Sequence, residues 1–162
     1  MKQFRSFHGI ITTINDFVIG VNEEQGCNKL MAVNDGHGNI VHFVVKPNTY
    51  FIDQTMVRVG DQVTGFYDAS VPVPMIFPPQ FQAVVMAKYV SHQNVKVDHF
   101  NEQLESSDGR LKLNVSPTTQ VVLTNGQFFT GNLENRNLIV LYSMATMSIP
   151  AQTTPYKIIV LC

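Results

Sequence analysis

VGDQVTGFYDASVPVPMIFPPQFQAVVMAK, residues 59–88, reads as a strand, an apolar proline-rich loop and a second strand. Gly60-Asp61 has turn composition and opens the first strand, 62–67. Pro72, Pro74, Pro78 and Pro79 then break any ladder, because proline donates no hydrogen bond. Residues 81–90 return as the last strand of the first half. A weaker copy, LENRNLIVLYSMATMSIPAQTTPYKIIVLC, closes the chain at 133–162. The duplication concerns architecture, and it organises the rest of the reading.

Working outward, 4–14 is β-rich, with Ile10, Thr12 and Ile14 on one face and Phe7, Gly9 and Ile11 on the other. Asn15-Asp16 is expected to turn the chain into a second strand over 17–21, followed by a polar loop over 23–28. Strands over 29–33 and 40–45 flank Asn34-Asp35-Gly36-His37-Gly38-Asn39, a hairpin composition. A short strand follows at 50–52. In the second half, 111–119 matches 41–49 at a spacing of 70, with Pro117 answering Pro47. Tyr142 falls opposite Tyr67, and 156–160 opposite 81–85, at a spacing of 75. The five extra residues belong in the loop 125–132, where an insertion costs little. This register makes 84–90 also the opening strand of the second unit, followed by a strand over 95–100. Helix is expected to be scarce, with at most one turn each near 54–59 and 126–135.

Bulk properties agree with strands. Hydrophobic residues make up 44% of the 162 positions and charged residues only 14%, against about 25% in ordinary soluble proteins. A chain of this length buries roughly 68–70% of its unfolded surface, enough for a core without disulfides or metals. Eleven Lys and Arg against twelve Asp and Glu leave a net charge of -1, so no global field draws in nucleic acid or an anionic membrane. The N-terminal residues are too polar for a secretion signal, and no apolar run approaches the ~20 residues that span a bilayer. Cys27 and Cys162 read as two thiols in a reducing compartment. The expected location is cytoplasmic.

At Val59-Gly60-Asp61-Gln62-Val63, Phe66-Tyr67-Asp68 and Pro78-Pro79-Gln80-Phe81-Gln82-Ala83, the chain resembles a little-studied β-module of Firmicute bacteria. That module typically reads GDxVxxYYD…PPQYxAxxI. The second half keeps the pattern but has Asn135-Arg136 for Gly60-Asp61 and Thr153-Thr154-Pro155 for Pro78-Pro79-Gln80. The resemblance implies a barrel-like β fold and a bacterial origin, and it assigns no functional residues.

Taken together, the expected fold is all-β: two pseudo-repeated small OB-like β-barrels packed side by side, with very little helix. The first unit covers 1–90 and the second 84–162, with 81–90 shared or joining. The strongest functional candidate is the loop 71–81. Val73, Met75, Ile76, Phe77, Pro78 and Phe81 there, with Met147 and Ile149 in its counterpart, are the expected partner-binding residues. Prolines hold such a loop extended, so it loses little entropy on binding. The competing expectation is that Met75, Ile76 and Phe77 cap an open barrel end.

No catalytic, metal or cofactor motif is present. His8, His37, His42, His92 and His99 form no HxH or HxxxH pair, and Asp53, Asp61 and Asp68 read as turn residues. Gly36-His37-Gly38 is too short for a phosphate cradle. The expected protein is thus a non-enzymatic binding or structural module, self-associating through 71–81 or holding a protein partner, with no cofactor. The alternative is an OB-type single-strand nucleic-acid binder, given Phe43, Tyr50, Phe66, Tyr67 and Tyr89. Against it, the basic residues are scattered singly.

Overall fold

The structure is a computed structural model and describes residues 2–18, 20 and 25–162. It is all-β, and among the described residues the one helical element is a 3-10 turn at Ile52–Gln54. That turn reaches Gln54, the edge of the first window where at most one turn is expected, and 126–135 holds no helical turn. Two compact units emerge, Met1–Tyr89 and Val90–Cys162.

In the first unit the strands are β1 (Phe4–Asp16), β2 (Lys29–Asn34), β3 (Ile40–Val45), β4 (Tyr50–Phe51), β5 (Gln62–Asp68), β6 (Gln80–Gln82) and β7 (Val85–Lys88). The first half of β1 pairs antiparallel with β5, from Phe4 opposite Asp68 to Ile10 opposite Gln62. Its second half pairs antiparallel with β2, ending with Asp16 opposite Lys29. Asn15-Asp16 is therefore strand and not a turn; cross-strand partners Leu30 and Lys29 override the local turn preference. Of the strand expected at 17–21, Phe17 and Val18 are irregular, and Ile19 and Val21 lie outside the described residues, as do Glu23 and Glu24 of the expected loop.

The long β1 serves two neighbours because it bends. A Cβ on Gly9 would sit 2.3 Å from the Asn34 carbonyl oxygen, so only glycine allows that approach. A register shift follows between Ile11 and Thr13. Before the shift Phe7 and Ile11 face the core and Ile10 faces solvent; after it Ile14 turns inward. The expected face of Ile10, Thr12 and Ile14 is split by this bulge, which simple alternation does not encode.

The sheet then closes on itself. β2 pairs antiparallel with β3, and Asp35 holds the connecting turn by accepting bonds from the amides of His37 and Asn39. β3 and β4 form one bent path. It runs parallel to a second bent path, β6 then β7, with Phe43 opposite Phe81 and Tyr50 opposite Val85. β7 returns antiparallel to β5. Five strand paths thus make a ring in the order 1-2-3-5-4, with the fourth beside the first. Its centre is filled by Ile11, Val33, Phe43, Val63 and Met86. Gly65 on β5 leaves room for the Phe43 ring, which a Cβ would meet at 2.4 Å.

The second unit contains β8 (Asn94–Phe100), β9 (Leu111–Leu113), β10 (Gln120–Leu123), β11 (Arg136–Tyr142), β12 (Ala151–Thr153) and β13 (Lys157–Leu161). Its sheet order, β10-β13-β11-β8, follows the same succession as β4-β7-β5-β1. β9 and β12 run parallel, as β3 and β6 do. The place of β2 is taken by two bridges, Phe100 with Ser106 and Glu105 with Lys112. Phe100, Leu111, Leu113, Leu138, Val140, Ile158 and Val160 form the core.

One hydroxyl recurs at the same point in each unit. Thr49 Oγ1 accepts from the Lys46 amide (3.0 Å) and donates to the Ala83 carbonyl (2.9 Å). Thr119 Oγ1 accepts from the Ser116 amide (3.2 Å) and donates to the Pro155 carbonyl (2.6 Å). Each ties the bend of the third path to the fifth. Residues that pair alike, such as His42 and Lys112, are 70 apart on the third path. On the fourth path the pair is Phe66 and Leu141, and on the fifth Val85 and Lys157. The fifth-path spacing is therefore 72, not 75: Lys157 stands opposite Val85. The loop after β11 is three residues shorter than the loop after β5, and the Pro-Pro-Gln-Phe run concealed that deletion. Correctly registered, β8 lies beside β11 as β1 lies beside β5, so 84–90 is not the opening strand of the second unit. The stretch 81–90 gives its ladders to β3, β4 and β5.

Candidate functional site

The loop between β5 and β6 leaves the ring at Asp68. Asp68 Oδ1 accepts from the amides of Gln3 and Ser70 and from the Ser70 hydroxyl (2.7–3.0 Å). Partial burial pushes this carboxyl up, but those bonds and the Lys2 charge outweigh it, leaving the group below its ordinary range. Asp68 is thus an anchor for the loop's start. At the far end Phe81 stacks on Tyr67, with ring centroids 3.9 Å apart and planes within 8°, and packs against the core. Pro78, half-buried, follows a cis peptide bond at Phe77. Ile149-Pro150 is also cis and lies at the same place before β12.

Between these anchors the apolar residues face water. Met75 is fully exposed, Phe77 is 86% exposed, and Val73 and Ile76 are exposed as well. The expectation that Met75, Ile76 and Phe77 cap a barrel end does not hold; the ring's own side chains fill its centre. In the second unit Met147 is fully exposed and Ile149 is 95% exposed, with Met144 beside them. Residues 69–80 and 143–153 contain no charged side chain. Six of the eight expected contact residues therefore lie on two exposed apolar tips, while Pro78 and Phe81 form the base of the first.

Beneath the first tip is a cleft of about 370 Å3, the lower part of the range that holds small ligands. Val44, Val84, Tyr67, Phe81 and the loop from Val71 to Pro74 line it, together with Lys2, Asp68, Gln80 and Gln82. A wider hollow of about 630 Å3 lies at the equivalent place in the second unit, lined by Asn114, Thr146, Gln152 and Tyr156. Neither cleft was legible in the sequence, because Val44 and Gln82 meet only through the parallel ladder.

Several other titratable groups are engaged structurally. His8 Nε2 accepts from the Gln62 amide (2.8 Å), which leaves Nδ1 to donate to Thr64 (2.9 Å). Asp61 accepts from the Arg58 amide and pairs with Lys88. The buried Asp98 accepts from Ser107, and Asp108 pairs with Lys96. Among the described residues, no group of three or more His, Cys, Asp or Glu is placed to hold a metal. Nor is any described helix long and apolar enough to cross a membrane. No family model, curated protein or solved structure matches this chain.

Proposed function

We propose that this protein is a doubled module with the barrel-like fold that the Firmicute resemblance implies, that it is OB-like and non-catalytic, and that it associates with a second copy of itself through the tips of the loops after β5 and β11. One observation carries the reading: Met75, Ile76 and Phe77 face water on an anchored loop, and Met144, Met147 and Ile149 do so at the same place in the second unit. Several features support it. The ring order 1-2-3-5-4 makes this the loop between the fourth and fifth strands, one of the two that OB barrels use for binding. Uncharged tips suit an isologous contact, in which one surface meets itself, and a net charge of -1 gives little repulsion between copies.

The magnitudes set the strength of the association. Burying Met75, Ile76 and Phe77 contributes about 1.5–3 kcal/mol each, so about 5–9 kcal/mol per loop. Loss of free motion costs about 4–15 kcal/mol. Taking the middle of each range, two loops at about 14 kcal/mol less about 9.5 kcal/mol leave about 4–5 kcal/mol, an association of roughly 0.5 millimolar. Sedimentation velocity from 10 micromolar to about 500 micromolar tests this. The wild type should show a rising weight-average coefficient, and Ile76→Asp with Phe77→Asp should abolish the rise without unfolding the chain. A wild type that stays monomeric across the series refutes the proposal.

A further inference from the structure

We infer that β6 of the first unit is a strand-addition site for an extended, uncharged polypeptide segment. The register of its parallel ladder shows why. The His42 amide donates to the Pro79 carbonyl (2.8 Å), and the Ala83 amide donates to the Val44 carbonyl (3.0 Å). With His42 opposite Gln80 and Val44 opposite Gln82, the intervening bonds to β3 use the main chain of Phe81. The N–H and C=O groups of Gln80 and Gln82 consequently point away from β3. Among the described residues they meet no main-chain partner on that side, and the ladder of β5 with β7 stops at Phe66. An unpaired strand edge is a template for another extended chain.

The second unit displays the same edge occupied. Gln152 pairs with Lys112 as Gln80 pairs with His42. There the Thr146 amide donates to the Gln152 carbonyl (2.9 Å), and the Gln152 amide donates to Thr146 Oγ1 (2.9 Å). The unit's own loop thus seals its edge with the amide and the hydroxyl of Thr146. In the first unit the loop residues at the corresponding distance cannot. Counted from β5, the counterpart of Thr146 is Val71, whose amide donates to Asp68; counted back from β6, it is Pro74, which has no N–H. The edge instead borders the 370 Å3 cleft, whose lining includes Val44, Val84, Tyr67 and the Val71 side of the loop. One cation, Lys2, and one anion, Asp68, leave that cleft neutral. An occupant therefore supplies main-chain groups to Gln80 and Gln82, apolar side chains at alternate positions, and no charge. This inference stands apart from self-association, which uses the exposed tip and not the edge.

The test uses the full chain and a capped Ser-Val-Thr-Val-Ser peptide, followed by amide hydrogen exchange and chemical shifts. Without peptide, the Gln80 and Gln82 amides should exchange at least tenfold faster than that of Gln152. Saturating peptide should slow both at least tenfold and shift the signals of 80–84. The same peptide N-methylated on its two valines should lose at least tenfold in affinity, as should wild-type peptide for Gln82→Pro, which removes an N–H the β3 ladder does not use. No binding at millimolar peptide, or equal binding of the N-methylated form, overturns the inference. Protection of Gln80 and Gln82 that rises with protein concentration alone overturns it too, since a second copy would then be the occupant.

Discussion

Replacing Thr49 with valine keeps the side chain's shape and removes the hydroxyl that joins the third strand path to the fifth. Thr49 and Ala83 are both buried, so the Ala83 carbonyl oxygen loses a partner where water does not reach it easily. Stranding such a group costs about 1–3 kcal/mol. The Lys46 amide is only half-buried and can turn to water, so losing its bond adds about 0.5–1 kcal/mol. Together the change is worth about 2.5 kcal/mol. In a unit of this size that lowers the midpoint by about 10–20 °C. Because two units need not unfold together, the informative assay is residue-resolved hydrogen exchange. Globally exchanging amides of β5 and β7 should exchange about 70-fold faster, with those of β11 and β13 unchanged. Thr119→Val should give the mirror result, since its hydroxyl makes the same two bonds. Changes under about 0.5 kcal/mol in both variants would refute the claim that this hydroxyl fastens the third strand path to the fifth in each unit.

Three further outcomes follow from the same structure. Gly65→Ala should destabilise the first unit by about 1–3 kcal/mol in urea unfolding, because the new methyl meets the Phe43 ring, and Phe43→Leu should recover part of that loss. Partial burial pushes the Asp108 carboxyl up, but bonds from Lys96, Ser106 and the Arg110 amide outweigh it and hold the group below its ordinary value of 3.8. Its stabilising contribution is then full above pH ~4 and is lost as pH falls through the depressed value, since the unfolded chain binds that proton first. Asp108→Asn should flatten the acid limb of second-unit stability between pH ~4 and ~2. Lys29, Lys88 and Lys96 are each paired with a carboxylate. With these three neutralised, the other cations scattered singly and a net charge of -1, fluorescence anisotropy at 20 millimolar salt should show no binding of a single-stranded 12-mer at 10 micromolar protein.

Much of the strand content could be read directly, because alternation and turn residues are local. The strand over 40–45 ends where Pro47 dictates, and Thr49 and Thr119 recur at a fixed spacing. What failed depended on distant partners. Asn15-Asp16 has turn composition, yet Lys29 and Leu30 hold it in a strand. The bulge after Ile11 moved Ile14 to the other face, and the three-residue deletion before β12 shifted the fifth-path alignment. The loop 71–81 stood out in the sequence because apolar residues between prolines carry no charge there, but whether its tip is exposed or caps a barrel end depended on the packing around it, which composition does not encode. The cleft and the free edge of β6 were not legible either, since both arise where a parallel ladder places residues some 40 positions apart side by side.

The proposal of self-association through the two tips is tested most directly by following backbone amide resonances while the wild type is diluted from about 500 to 10 micromolar. The account predicts progressive shifts concentrated at 73–78 and 144–149, with the signals of β2 and β10 stationary. Positions that do not move at either tip, or movement centred on another face, would contradict it.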